Sequence, residues 1–195
     1  FKQLSPSGRF WFVDSDLGNP AFVNTVENTL EANFYFVQQK AIPSPIFAET
    51  VLVREYAPAP APQAHSLDAV LGGKVALASV ALGGTTKAGH VVPIDLTWKS
   101  LGTLPDNYSV FVHVVDANGH MVAQQDGWPD AGLRPTSGWQ PGDTIDDRRA
   151  VELPAGVPPG QYKLLAGMYM GDTRLKLADG SDTLTLGSVT VTAGS

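Results

Sequence analysis

The sequence predicts a mainly β protein: an antiparallel β-sandwich preceded by a short strand-helix-strand α/β segment. Three observations carry this. An Ala-Pro run, Ala57-Pro58-Ala59-Pro60-Ala61-Pro62, divides the chain, and alternating Ala-Pro favours an extended, semi-rigid spacer. Four of the five glutamates (Glu27, Glu31, Glu49, Glu55) precede it and only Glu152 follows, so the helix-favouring acid sits on one side. Beyond the spacer, apolar residues alternate with polar ones between Gly, Pro, Asp and Asn turns, the period of half-buried strands. The expected organisation is an α/β segment over residues 1–56, a linker over 57–65 and a sandwich domain over 66–195.

In the first segment, Arg9-Phe10-Trp11-Phe12-Val13 is a short apolar run that reads as a strand. Residues 14–20 read as a turn, with Asn19 before Pro20 at a helix start. Phe22, Val26, Leu30, Phe34 and Val37 then recur at spacings of a helical stripe, and Pro43 and Pro45 end that helix. Residues 46–56 read as a second strand. A segment of roughly 56 residues does not easily sustain a layered α/β domain alone. It is therefore expected to be the remnant of a larger soluble region, and a chain opening on Phe1 rather than Met is expected to be a piece of a longer or processed protein.

In the second segment, residues 74–82 read as a strand. Val92, Ile94, Leu96 and Trp98 alternate with Pro93, Asp95 and Thr97, and Pro93 points to an edge strand or a bulge. Val110, Val112 and Val114 share one face of the next strand, with Ser109, Phe111 and His113 on the other. Asp116-Ala117-Asn118-Gly119 is a hairpin turn into residues 121–125. Residues 144–153, 162–170, 174–177 and 183–192 complete about eight strands, a spacing that suits two packed antiparallel sheets. Leu153-Pro154 through Pro159-Gly160-Gln161-Tyr162 has the form of an immunoglobulin-like corner, in which a tyrosine near a strand start ties its hydroxyl to the backbone.

Composition excludes several functions. With 13 basic and 19 acidic residues the net charge is −6, which disfavours a nucleic-acid binder. The absence of cysteine removes thiol nucleophiles, thiolate metal sites and disulfides. No stretch of about 18 apolar residues could span a bilayer. The histidines, His65, His90, His113 and His120, lack metal-ligand spacing, and no G-x-S-x-G elbow is present. Gly72-Gly73-Lys74 lacks the flanking residues of a phosphate loop, and Asn107-Tyr108-Ser109 fits a glycosylation pattern at a strand start. No catalytic residue, metal or cofactor is expected.

The stretch from Asp126 to Asp143, about 18 residues, is longer than most connections, and such loops are often functional. It holds Trp128, Trp139, Asp126, Asp130, Arg134 and Gln140, the candidate glycan-binding residues. Indole faces stack on the C–H faces of a pyranose while carboxylates and amides bond its hydroxyls. The alternative is that both tryptophans plug one end of the sandwich. Asp143, Asp146, Asp147, Arg148 and Arg149 form a second cluster, expected to be a solvated, self-neutralising strand face because adjacent carboxylates on a strand diverge.

Several stretches resemble a known family. Residues 108–116 (YSVFVHVVD), 125–129 (QDGWP), 135–143 (PTSGWQPGD) and the 153–169 region, together with Arg9–Val13 and Val51–Tyr56, are similar to the C-terminal soluble region of bacterial multi-pass membrane glycosyltransferases of the dolichyl-phosphate-mannose mannosyltransferase-like type (family 39). The resemblance implies an accessory domain on the extracytoplasmic face of a bacterial membrane. Its expected partners are the transmembrane part of its own parent chain and a glycan or lipid-linked sugar acceptor. That family's catalytic acids lie between early transmembrane helices, a segment without a counterpart here. The rival readings are a carbohydrate-binding β-sandwich module, a structural or partner-docking domain and, last, a glycosidase.

Overall fold

The computed structural model describes residues 9–14, 20–43, 50–58 and 63–194. Residues 15–19 of the turn expected at 14–20, the start of the strand expected from Ile46 and residues 59–62 of the Ala-Pro spacer lie outside them. The chain divides into two compact units, Phe1–Ala59 and Pro60–Ser195.

The first unit contains β1 (Phe10–Asp14), α1 (Pro20–Asn33), β2 (Tyr35–Pro43) and β3 (Thr50–Ala57). Strand β3 pairs antiparallel with both β1 and β2. The strand over 35–43 corrects the expected helix, which ends at Asn33 with the Phe34 N–H closing the last turn on the Leu30 carbonyl at 2.8 Å. Tyr35, Phe36 and Val37 are β-favouring residues that find a partner strand in β3. A spacing of 30, 34 and 37 is compatible with a helix, but cross-strand burial decides the outcome. The small core packs Phe10 edge-on to Phe34, with ring centroids 4.8 Å apart, and stacks it on Tyr56. The buried Glu27 of α1 accepts from Arg54 of β3, whose Nε also donates to Gln39 at 2.9 Å.

The second unit is a β-sandwich. One sheet runs in the order β10 (Thr144–Glu152), β7 (Val91–Ser100), β5 (Val75–Leu82), β4 (Gln63–Leu71), all antiparallel. The other runs β6 (Thr85–Lys87), β13 (Leu184–Thr192), β11 (Gly160–Met170), β8 (Ser109–Val115), β9 (Met121–Gly127), with β12 (Thr173–Arg174) beside β11. Only the β6–β13 pairing is parallel among the described residues of this unit. Val92, Ile94, Leu96 and Trp98 face Val110, Val112, Val114, Leu164, Ala166 and Met168 in one continuous apolar core, all fully buried. Alternation along each strand produces this, since every second residue points inward.

Pro93 lies in a central strand, not at an edge. Its carbonyl accepts from Gly83, so its missing N–H points the same way, just past the last β5 pair at Leu82–Ile94. The proline thus costs no ladder bond. Gly83 is required beside it, because a Cβ there would sit 2.8 Å from the proline ring. The predicted tyrosine corner is present: the Tyr162 hydroxyl donates to the Pro158 carbonyl at 2.8 Å. The 116–119 turn is built on Asp116, whose carboxylate accepts from the backbone of Asn118 and His120. Strand β4 escapes the alternation pattern because it is bulged between Ser66 and Ala69, where Asp68 adopts a left-handed φ of 49°.

Candidate functional site

The loop between β9 and β10 is mounted on a buried ion pair. Strand alternation turns Asp147 and Arg149 inward, each with a side chain 1% exposed, while Asp146 and Arg148 point out. This corrects the expected solvated face for the inward half of that strand. Arg149 Nε donates to Asp147 at 2.7 Å and Nη1 donates to Gln125 at 2.6 Å. Nη1 also reaches the Val110 carbonyl at 3.5 Å, and Nη2 donates to the carbonyls of Gly127 and Trp128 at 3.0 and 3.1 Å. All five guanidinium N–H groups therefore have an acceptor. Asp147 in turn accepts from the Asp130 backbone N–H at 3.0 Å and from Trp98 Nε1 at 3.4 Å. A buried charge is tolerated only when paired and hydrogen-bonded in this way, and the pair fixes where the loop begins.

The loop itself is strained. Asp130 and Ala131 have φ of 54° and 51°, a region that costs an L-residue roughly 1–2 kcal/mol. Gly132 follows with φ 94°, where glycine pays no such penalty. The Asp147 contact and backbone bonds from Gly132 and Leu133 to Pro129 and Asp130 hold the turn. Burial, and then the nearby Asp147 charge, push the Asp130 carboxyl up to about 6; Arg134 opposes them.

The sequence-proposed residues separate on this frame. Trp139 is 1% exposed, lies within the apolar core and donates Nε1–H to the Arg134 carbonyl at 2.9 Å. Its ring faces are covered, so it plugs the sandwich end and offers no platform. Trp128 is 46% exposed, at the loop's first position. Gln140 and Arg134 are exposed, and the Gln140 backbone donates to Asp143, whose carboxylate closes a local turn. Thr136, fully buried, bridges the loop to the Asp106 carbonyl and the Tyr108 N–H. Asn107 accepts from the Ser137 N–H, which gives its amide a structural task.

Asp126 is not in the loop. It is the penultimate residue of β9, on the outer face of its sheet, opposite Phe111 of β8. There it meets two residues that sequence reasoning did not assemble. The Tyr169 hydroxyl donates to Asp126 at 3.4 Å, and His113 Nε2 lies 3.8 Å from the other carboxylate oxygen. Phe111, 1% exposed, underlies them, with its ring centroid 4.7 Å from His113 and 6.3 Å from Tyr169. The Arg174 guanidinium lies 4.4 Å from the same ring centroid. Gly167 makes room for the sunken ring, since a Cβ there would stand 2.5 Å from it. Burial lowers the His113 pKa, Arg174 acts in the same sense and Asp126 opposes them. His113 is therefore neutral at neutral pH, and its approach to Asp126 is a polar contact rather than an ion pair. Burial and the Asp126 charge raise the Tyr169 pKa, so its hydroxyl remains a donor. The alternation of β8 had placed Phe111 and His113 together, but no spacing rule connects them to residue 169.

Among the described residues no group of three or more His, Asp or Glu side chains could hold a metal ion, and no helix is long and apolar enough to cross a membrane.

The fold defines the second unit as a β-sandwich module. No protein family model matches the chain, and no curated protein matches its sequence. Among solved structures it is similar to the C-terminal domain of wzt, with a TM-score of 0.45 and 12% identity over 70% of this chain and 81% of that one. It is also similar to a CARDB domain from Pyrococcus furiosus in complex with di-metal ions, with a TM-score of 0.36 and 14% identity over 59% of this chain and 90% of that one. A third is the Pseudomonas fluorescens alkylpurine DNA glycosylase AlkC, with a TM-score of 0.33 and 16% identity over 56% of this chain and 28% of that one. Likenesses this distant carry no argument about function.

Proposed function

We propose that the chain is a non-catalytic accessory module of a membrane-tethered bacterial glycosyltransferase, and that its sandwich contacts a glycan or lipid-linked acceptor on the extracytoplasmic side. The transmembrane part of the parent chain is its partner in this reading. The resemblance of residues 108–116, 125–129 and 135–143 to the soluble region of such enzymes supports the parentage. One observation carries the glycan contact: Trp128 is 46% exposed while its own carbonyl is gripped by the buried Arg149. A large exposed aromatic on a fixed backbone is a binding anchor for which little backbone ordering cost is left to incur. A glycan array probed with the chain tests this. The expected result is retention of a defined glycan, lost in Trp128→Ala without a fall in melting temperature. Binding that survives Trp128→Ala would remove the anchor from the proposal. A partner-docking role is the second reading, favoured by Trp139, whose burial leaves one exposed indole in this loop rather than two.

A further inference from the structure

We infer that Asp126, His113 and Tyr169, on the outer face of β9, β8 and β11, form a subsite that selects a neutral pyranose over anionic sugars. This rests on the reading of the module as a glycan-contact domain and names the sugar class it takes.

The three residues come from three adjacent strands. Register pairs Phe111 with Asp126, Gly167 with Phe111 and Tyr169 with Ser109, which sets the carboxylate, the imidazole and the phenol around one sunken ring. The Asp126 carboxylate is under-used. Its contact with Tyr169 is long at 3.4 Å, and at 3.8 Å His113 does not hydrogen-bond to it directly. A ligand hydroxyl placed between Asp126 and His113 would bond both, since each is 18–28% exposed at its side chain. A carboxylate accepts from two vicinal hydroxyls at once, and the bonds are strengthened by its charge. The phenol adds a hydroxyl that both donates and accepts. Trp128 stands two residues beyond Asp126, just past the end of β9, and offers an exposed indole for a C–H face.

Charge decides the sugar class. A uronate or phosphate would meet the Asp126 carboxylate. Arg174, whose guanidinium stacks over Phe111, lies 3.5 Å from Asp182, so its charge is shared with that carboxylate. His113 carries no compensating charge. A single carboxylate with neutral neighbours is also too few oxygens for a divalent cation.

The test uses the 195-residue chain and follows its His113 ring signals by NMR. Probes are methyl α-mannopyranoside, methyl β-glucopyranoside, methyl β-galactopyranoside, glucuronate and inorganic phosphate. At least one neutral glycoside is expected to shift the His113 resonances, and glucuronate and phosphate are not. Asp126→Asn should weaken that binding by about tenfold, since the ligand hydroxyls lose a charged acceptor, and Tyr169→Phe by about threefold, since one neutral hydrogen bond is lost, with melting temperature unchanged. If neutral glycosides bind, Trp128→Ala weakens them and both polar variants bind as wild type does, the subsite is overturned and the glycan module stands. If glucuronate or phosphate shifts His113 instead, the neutral selection is wrong. If no probe and no arrayed glycan binds, both readings fall.

Discussion

Two charged clusters flank one strand, and neighbouring residues divide between them. Gln125 of β9 faces inward to Arg149, and Asp126 faces outward to His113 and Tyr169. The inward cluster is saturated: Arg149 uses every N–H and Asp147 accepts three bonds. The outward cluster is sparse, with one long hydrogen bond on its carboxylate. Each place sets one carboxylate beside protein donors, guanidinium and amide inward and phenol outward. What differs is whether the protein itself consumes the bonding capacity. Saturation marks a structural pair and spare capacity marks a surface available to a ligand.

The largest expected effect breaks the saturated side. Arg149→Met leaves Asp147 buried and unpaired, and should cost about 3–5 kcal/mol in denaturant unfolding. Adding Asp147→Leu should recover only part of that loss: both charges are then gone, but the Gly127 and Trp128 carbonyls and the Asp130 amide lose their partners. Hydrogen exchange at the Asp130 amide should nevertheless rise in the double variant, since its acceptor has been removed. A double variant no more stable than Arg149→Met would mean that these backbone bonds, rather than the charge pairing, carry the stability.

The two tryptophans sharpen the same contrast. Trp139→Ala empties a core position and should cost about 3–5 kcal/mol, whereas Trp128→Ala should stay within about 0.5 kcal/mol of wild type. Comparable losses from both would show that Trp128 is held by packing as well.

A smaller effect concerns Asp130, whose carboxyl is raised to about 6 against about 3.9 in an unfolded chain. The folded state holds that proton more tightly, so the group's contribution is complete below about pH 4 and is lost as pH rises through 6. Asn tolerates the left-handed backbone that residue 130 adopts. The melting temperature of Asp130→Asn relative to wild type should therefore become more favourable between pH 4 and pH 7. A difference that stays constant with pH would deny the burial of this carboxyl. Smallest of all, Tyr169→Phe and Asp126→Asn should each change stability by less than about 0.5 kcal/mol, which calorimetry can check. A large loss would make the outer cluster structural too.

Much of the sandwich was legible from alternation. Val92 to Trp98, Val110 to Val114 and the Tyr162 corner all stand where pattern and turn chemistry put them. Strand β2 was hidden because Leu30, Phe34 and Val37 satisfy helical spacing, and only the pairing of residues 35–43 with β3 overrides it. Divergence of Asp146 and Asp147 was readable from the period of two. That the inward one would be buried with an arginine was not, since burial depends on Gln125 and the Gly127 and Trp128 carbonyls, far away in sequence. For the same reason the outer cluster lay beyond reach: its members at 113, 126 and 169 meet only through the order of three strands.

The grip of Arg149 on Gly127 and Trp128 falls on carbonyl oxygens, which every amino acid supplies. Position 128 therefore works as a mount whose fitting can be exchanged: tyrosine, histidine or arginine placed there would inherit the same vantage point. On the proposed glycan reading, selectivity at this end of the sandwich would drift by single substitutions while the socket beneath stays intact.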